Sequence, residues 1–411
     1  MKFSKLSQLF LVSTIGLLVA TLLTACQLVT IDYLFVASSV GSGSGSAGQI
    51  QTYAVDSQTG VIRTAAPSVA SGGVDPVAMA VTSDYANLYV ANQVNHSVVH
   101  FSISGNGVLT AKDTLTTATA PVSLAVSTDN KYLFVATGST SATLTEYALS
   151  SGTIGAASAT EPLNLSAIDP SFTSDALVPT GVNVLVKSTD LTASAAVYVT
   201  VYDQSAYNPG GTITSIAKPG WVFGFAIGSG GALAPSAGSP YKAGVKPSGI
   251  ASDPAGRFVY VTDFASNELI GYTVQGGSVL DFMANGPFKT ANEPSAICID
   301  PRGLYVYVSN SLSSVISAFA ITLSTGTPST LSYTTGAAAT DTDPVAITVD
   351  PALGRFVYTA NQLGNSVSGF RLNPNDGTIN ETVSTPYPTG SAPTALLAIP
   401  HGNHSVQSIT P

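Results

Sequence analysis

The chain has 411 residues, of which 45% are hydrophobic and only 9% are charged, and its formal net charge is −9. This hydrophobic content excludes an intrinsically disordered chain, and a negative charge without a basic stripe argues against nucleic acid as a partner. With two cysteines in the whole chain, a disulfide framework is excluded as well.

The N-terminal segment, residues 1–25, is organised like an export signal, with two lysines, a mainly apolar run and then small residues before a cysteine. The sequence Leu23-Thr24-Ala25-Cys26 resembles the lipobox of bacterial lipoproteins, which predicts removal of residues 1–25, lipidation of Cys26 and a short membrane tether over residues 26–32. An uncleaved membrane anchor and an ordinary signal peptide remain alternatives, and all three export the protein. Gln27 after the cysteine indicates an outer-membrane or cell-surface destination.

The rest of the chain repeats one phrase at spacings of 45 to 68 residues. A proline opens a short apolar run, a turn containing Asp and Gly follows, and a β-branched and aromatic run such as Leu304–Val308 comes next. Proline suits the first residue of a strand because it lacks an N–H group, so each copy predicts one four-stranded blade. The opening prolines are Pro76, Pro121, Pro179, Pro247, Pro294, Pro344 and Pro393.

Repeats of this length that contain only short strands are typical of a β-propeller. The last copy supplies only a first strand, after Pro393, whereas the N-terminus supplies a second strand at Tyr33–Ser38 and two more strands before Pro76. Joined, the two ends make one blade, and the ring closes with seven. We therefore expect an all-β, seven-bladed propeller over residues 33–411 as one monomeric domain, with insertions near residues 160–178 and 204–220.

The residues just before the opening prolines are predicted to surround the top mouth of the central channel. Asp75, Glu293 and Asp343 are acidic there, and Lys246 is basic. Carboxylates that converge on one mouth predict a site for a divalent cation such as calcium, bound by Asp75, Glu293 and Asp343. The alternative is that these residues are solvated loop charges that only shape turns.

The loops after the second strands form a second candidate surface on the same face. Their Asn and Asp residues recur at matching positions, which also fits a role in folding the loops. His96 interrupts this pattern and is a candidate general base, so the candidate catalytic set is His96, Glu293 and Asp343. The candidate ligand-binding residues of the top face are Asp75, Asn92, Asn95, Asp263, Asn267, Glu268, Asn310, Asn361 and Asn365.

The opposite, bottom face carries arginines beside the first turns of three copies. Arg257, Arg302 and Arg355 each follow a nearby aspartate, which predicts ion pairs within the turns, with contact to an anionic membrane as the alternative. His401 and His404 are a weak metal signal in the C-terminal tail.

The phrases Asp253–Val261 and Asp350–Tyr358 resemble those of the seven-bladed lactonase family, which includes propeller-type 6-phosphogluconolactonases. Leu88–Asn92 and Phe356–Asn361 also resemble YVTN-type surface propellers. The resemblance covers nearly the whole chain after the signal segment. Its enzymatic members imply ring opening of a lactone by an activated water, with His, Arg and acidic residues on one face.

Two functions fit these observations. The first is a non-catalytic surface lipoprotein, which presents its top loops to a small molecule, glycan or protein. The second is an extracytoplasmic lactone hydrolase that uses top-face carboxylates, with His96 and a bound cation. An enzyme needs titratable groups that converge in a pocket, whereas a binding surface does not.

Overall fold

Seven antiparallel sheets form the blades of a ring in the computed structural model, which describes residues 29–39, 47–138, 141–165, 176–205, 220–331 and 338–402. The predicted all-β, seven-bladed propeller is confirmed. Within these ranges a 3-10 turn spans Ser229–Gly231, and no helix there is long and apolar enough to span a membrane.

Blades 1 to 4 contain the first half of the strands in chain order. Their bounds are β1 (Thr30–Ser38), β2 (Gln49–Asp56), β3 (Ile62–Ala70), β4 (Pro76–Val81), β5 (Asn87–Asn92), β6 (Ser97–Ile103), β7 (Leu109–Thr116), β8 (Pro121–Val126), β9 (Tyr132–Thr137), β10 (Thr143–Ser150), β11 (Thr153–Pro162), β12 (Leu177–Lys187), β13 (Asp190–Asp203), β14 (Gly220–Ile227), β15 (Leu233–Pro235) and β16 (Tyr241–Lys242).

Blades 5 to 7 follow, and the last strand returns to blade 1. The bounds are β17 (Pro247–Ser252), β18 (Phe258–Asp263), β19 (Glu268–Gln275), β20 (Val279–Phe282), β21 (Phe288–Lys289), β22 (Pro294–Ile299), β23 (Tyr305–Asn310), β24 (Val315–Ile321), β25 (Pro328–Thr330), β26 (Ala338–Ala339), β27 (Pro344–Val349), β28 (Phe356–Asn361), β29 (Ser366–Leu372), β30 (Ile379–Glu381), β31 (Tyr387–Pro388) and β32 (Pro393–Pro400).

Blade 1 closes the ring as predicted, with the strand order β3-β2-β1-β32. The C-terminal strand β32 is innermost and pairs with β1 from Asp32 opposite Pro400 to Ser38 opposite Pro393. β1 begins at Thr30, so the end of the predicted tether, residues 30–32, belongs to the blade. The predicted insertions at 160–178 and 204–220 lie largely outside the described residues.

The innermost strands of neighbouring blades contact one another in an unbroken circle, in the order β32, β4, β8, β12, β17, β22, β27 and back to β32. Six of them begin at the predicted proline, whereas β12 begins earlier, at Leu177. The ladder has an irregularity directly after the proline in blades 2 to 7. Proline cannot donate to the ladder, and a bulge accommodates the missing bond. We call the end of the ring where these strands begin the top face.

One hydrophobic cluster lies between each neighbouring pair of blades, seven in all within the described residues. A repeated hydrogen bond crosses four of these seams at the bottom face, where a buried tyrosine hydroxyl donates to the carbonyl of a turn glycine in the next blade. Each of these glycines has a φ between 71 and 85°, which other residues rarely adopt. The pairs are Tyr89–Gly152 (2.6 Å), Tyr260–Gly326 (2.6 Å), Tyr307–Gly377 (2.7 Å) and Tyr358–Gly60 (2.7 Å).

Candidate functional site

The residues before the seven opening prolines surround the mouth of the channel at the top face, because the innermost strands begin there. In ring order they are Ala392, Asp75, Ala120, Val178, Lys246, Glu293 and Asp343. Lys246, Glu293 and Asp343 therefore stand on three consecutive blades, 5, 6 and 7. We call these three residues the mouth arc.

The backbone of the mouth arc is held by the loops after the second strands. Phe264 N–H donates to the Lys246 carbonyl (2.9 Å), Ser311 N–H to that of Glu293 (2.8 Å) and Gln362 N–H to that of Asp343 (2.8 Å). Glu293 and Asp343 have φ angles of 57° and 60°, a left-handed conformation that persists only where neighbouring contacts enforce it.

The charges of the mouth arc influence one another. Burial, and after it the negative charge of Glu293, raises the pKa of the Asp343 carboxyl above its usual range. Burial lowers the pKa of the Lys246 ammonium, and Glu293 opposes that change. The arc thus combines an acid that keeps its proton at higher pH with a cation in a poorly solvated position.

Aromatic rings surround the cation of the mouth arc. Lys246 Nζ lies 4.5 Å from the ring centroid of Phe264 and 5.6 Å from that of Tyr202, which is the geometry of a cation–π contact. Sequence reasoning missed both rings. A signal for Phe264 existed, because it stands where the other copies have the polar residues Gln93, Ser311 and Gln362.

Asp75 is separated from the mouth arc. Ala392 stands between Asp343 and Asp75 in the ring, because the C-terminal strand enters there. Asp75 shares the left-handed conformation, with φ 59°, and Ser39 Oγ donates to its carboxylate (2.5 Å). Among the described residues no three His, Cys, Asp or Glu side chains are arranged to hold a metal ion, so Asp75, Glu293 and Asp343 do not assemble the predicted calcium site.

Four of the predicted ligand-binding residues have side chains that are buried inside the protein. Asn92, Asp263, Asn310 and Asn361 are fully buried and hydrogen-bond to other parts of the protein. Asn310 and Asn361 bond within their own loops, whereas Asn92 and Asp263 bond to the loop before the first strand of their blade. Asp263, for example, accepts from the N–H groups of Val245 (2.7 Å) and Lys246 (2.9 Å). These four side chains are therefore unavailable to a ligand, and the structure gives them the loop-folding role.

Three other predicted top-face residues also have protein partners. The Asn267 side chain accepts from Glu293 N–H (2.7 Å) and so ties blade 5 to the mouth arc. Asn95 accepts in the same way from Val74 N–H (2.5 Å). Glu268 forms an exposed ion pair with Lys289 (2.8 Å).

His96 and Asn365 are exposed and occupy the same repeat position. Each adopts a left-handed conformation, with φ 49° and 52°, as Asn267 does with φ 57°. Each carbonyl accepts from a backbone N–H further along the chain, that of Thr117 (2.8 Å) for His96 and that of Thr389 (2.8 Å) for Asn365. His96 lies on blade 2, so it is two blades away from Asp343 in ring order.

The bottom face contains the predicted turn pairs for two of the three arginines. Arg257 Nε bonds to Asp253 (2.8 Å) and Arg302 Nε to Asp300 (2.7 Å), whereas the backbone N–H of Arg355 donates to Asp350 (3.0 Å). Cys26, the signal segment and His404 lie outside the described residues.

The sequence model of one family, described as "Lactonase, 7-bladed beta-propeller", matches residues 36–171 and 278–396. No curated protein matches the chain. Among solved structures, a periplasmic gluconolactonase of Pseudomonas aeruginosa is 18% identical with a TM-score of 0.71, and the match covers 91% of this chain and 100% of that one. A candidate 6-phosphogluconolactonase of Bacteroides fragilis is also 18% identical, with a TM-score of 0.68 and coverage of 90% and 98%. At this identity the two structures demonstrate a shared fold alone.

Proposed function

Because this chain belongs to the lactonase family of seven-bladed β-propellers, we propose that it hydrolyses lactones at the mouth arc. The observation that carries the proposal is the arrangement of Lys246, Glu293 and Asp343 on consecutive blades, with the pKa of Asp343 raised and that of Lys246 lowered. Titratable groups whose pKa values are shifted both by burial and by a nearby charge are typical of functional sites.

The reaction needs one base and one acid. The Glu293 carboxylate takes a proton from water as the water oxygen attacks the lactone carbonyl carbon. The tetrahedral intermediate then collapses, the bond between the carbonyl carbon and the ring oxygen breaks, and protonated Asp343 gives its proton to the departing ring oxygen. The product is an open-chain hydroxy acid.

Lys246 supplies the positive charge. Its ammonium group stabilises the negative charge that develops on the carbonyl oxygen in the transition state, and such stabilisation is strong where water is partly excluded. Phe264 and Tyr202 restrict the position of this ammonium group. The proposal assigns no step to His96.

The test is hydrolysis of δ-gluconolactone and γ-butyrolactone by the purified chain, corrected for spontaneous hydrolysis and run with calcium or with EDTA. We expect Glu293→Gln and Asp343→Asn each to lower kcat/KM by about 10²-fold or more. Asp75→Asn is the matched control, because it changes a mouth carboxylate with the same backbone conformation outside the arc. If Asp75→Asn were as damaging as the other two, the mouth arc would not be the site. No turnover by a chain with an intact thermal melt would contradict the hydrolase and favour a binding surface on the top face.

Export with a lipid anchor at Cys26 is a separate proposal. It is supported by the lipobox-like sequence and by the fold shared with a periplasmic gluconolactonase. Metabolic labelling with an alkyne fatty acid tests it. We expect Cys26→Ser to lose the label and Cys298→Ser, which removes the other cysteine, to keep it. Label that persists in the Cys26→Ser variant would contradict the anchor.

A further inference from the structure

Large apolar side chains are exposed at one repeat position of the top face. Val94, Leu312 and Leu363 follow the second strands of blades 2, 6 and 7, and they are 61%, 65% and 69% exposed. The other strongly exposed apolar residues among the described ranges lie at bottom turns, on outer strands, between the outer segments β30 and β31, or beside the N-terminus of β1. Single exposed apolar residues are ordinary, but their recurrence at one position of the top face needs a reason.

Two of these side chains stand beside the mouth arc. Ser311, whose N–H binds the Glu293 carbonyl, directly precedes Leu312, and Gln362, whose N–H binds the Asp343 carbonyl, directly precedes Leu363. Neighbouring strands are about 4.8 Å apart. The backbone of Leu312 therefore lies roughly one or two strand spacings outward from Glu293, and that of Leu363 lies as far outward from Asp343. The two leucines therefore form an apolar surface on the outer side of Glu293 and Asp343, away from the channel axis.

The blade 5 end of the mouth arc carries a cation and aromatic rings in place of exposed leucines. On blade 5 the equivalent loop places Phe264 over the Lys246 ammonium, and Ala265 stands where blades 6 and 7 have leucine. A ligand at the arc therefore meets a cation on one side and leucine side chains on the other. This polarity orients a molecule that has a polar head and an apolar tail.

We infer that the substrate is a lactone with an alkyl or acyl substituent, with the ring carbonyl toward Lys246 and the substituent over Leu312 and Leu363. This inference rests on the proposed hydrolase function. A sugar lactone carries hydroxyl groups on its carbons, which need hydrogen-bonding partners, and the leucine side chains provide none. An alkyl chain instead removes apolar surface from water on contact with them.

The experiment measures kcat/KM of the purified full chain for γ-butyrolactone, γ-octalactone, γ-dodecalactone and δ-gluconolactone, each below its solubility limit. We expect kcat/KM to rise with chain length by up to about fourfold per methylene that becomes fully buried, mainly through KM. The double variant Leu312→Ser, Leu363→Ser should lower the ratio of the dodecalactone value to the butyrolactone value by about tenfold or more. Val94→Ser is the matched control, since it makes the same kind of change at the same repeat position on blade 2, and it should keep that ratio.

The outcomes separate the two proposals. Hydrolysis that is fastest with δ-gluconolactone, or a dependence on chain length that the double variant leaves intact, would overturn the inference while the hydrolase function stands. A loss of selectivity in Val94→Ser equal to that of the double variant would also overturn it. If no lactone were hydrolysed by a chain that melts normally, both proposals would fall.

Discussion

Asp32 of β1 and Asp350 of blade 7 face each other in the seam where the ring closes, and both are fully buried. Asp350 accepts from the N–H groups of Ala352 (2.8 Å), Leu353 (3.0 Å) and Arg355 (3.0 Å), so it is well placed to hold a negative charge. Burial first, and then the charge of Asp350, raises the pKa of Asp32 to about 10. Asp32 therefore carries a proton at neutral pH.

This pair predicts that stability falls as the pH rises. Between the ordinary pKa of an aspartate and about 10, the folded chain binds one proton that the unfolded chain has released, so the free energy of unfolding decreases with pH by up to about 1.4 kcal/mol per unit. Asp32→Asn removes this titration. We expect its melting temperature, relative to that of the parent, to rise from pH 6 to pH 9.

The control for this measurement is Asp281→Asn, which removes an exposed carboxyl. Its melting temperature should change with pH in the same way as that of the parent. Parallel curves for Asp32→Asn as well would contradict the protonated state of Asp32. Neither variant alters Tyr358, whose ring also lies near both carboxyls, so its contribution is the same in all three proteins.

The mouth arc predicts a second pH effect, on catalysis. An acid must be protonated to act, and the pKa of Asp343 is raised, so kcat/KM should remain high above the usual titration range of an aspartate and then fall as the pH rises. Glu293→Gln removes the charge that contributes to this shift. Because the Glu293→Gln variant lacks the base, its residual activity should be small and should decline at a lower pH than that of the parent. A decline at an unchanged pH would contradict the coupling between the two carboxyls.

Lys246 should contribute to turnover through its charge. We expect Lys246→Met, which keeps the length of the side chain, to reduce kcat/KM by about 10²-fold or more. Lys242→Met is the control, since Lys242 is an exposed lysine four residues earlier in the chain, at the end of β16 in blade 4. Equal effects of both substitutions would indicate a general effect of surface charge on the substrate.

His100 makes a buried polar contact within blade 2 that no sequence motif indicates, because its partners Asn87 and Asp113 lie on the neighbouring strands β5 and β7. Its two ring nitrogens lie 2.5 Å from an Asp113 oxygen and 2.9 Å from an Asn87 oxygen, and the residue is 3% exposed. Asp113→Leu removes one partner and should lower the free energy of unfolding by about 1–3 kcal/mol. Lys112→Ala, which changes the exposed neighbouring residue, should have little effect in the same denaturant titration.

Ring closure predicts the effect of truncation. Removing residues 392–411 deletes β32, the innermost strand of blade 1, which pairs with β1 and contacts β4 and β27. We expect the cooperative thermal melt to be lost, because closing a ring removes exposed strand edges. A truncation after Gly402 retains all of β32 and is the control. If both truncated chains melted like the parent, the closing role of β32 would be wrong.

Most of the fold could be predicted from local sequence. The proline that opens each copy, the turn after the first strand and the aromatic second strand act over a few residues, so they predicted the blade, the count of seven and the blade shared by the two ends. The sequence also placed Glu293 and Asp343 at the channel mouth, because each directly precedes an opening proline.

Only the tertiary structure decided which of these residues act together. Ala392 comes from the far end of the chain and separates Asp75 from Asp343, while the direction of each loop turns Asn92 inward and leaves Leu363 exposed. The burial of Asp32 against Asp350 likewise joins residues more than three hundred positions apart. Strand and turn formation depends on neighbours in sequence, whereas the order of blades around the ring and the solvation of a charge depend on contacts that exist only when the ring has closed.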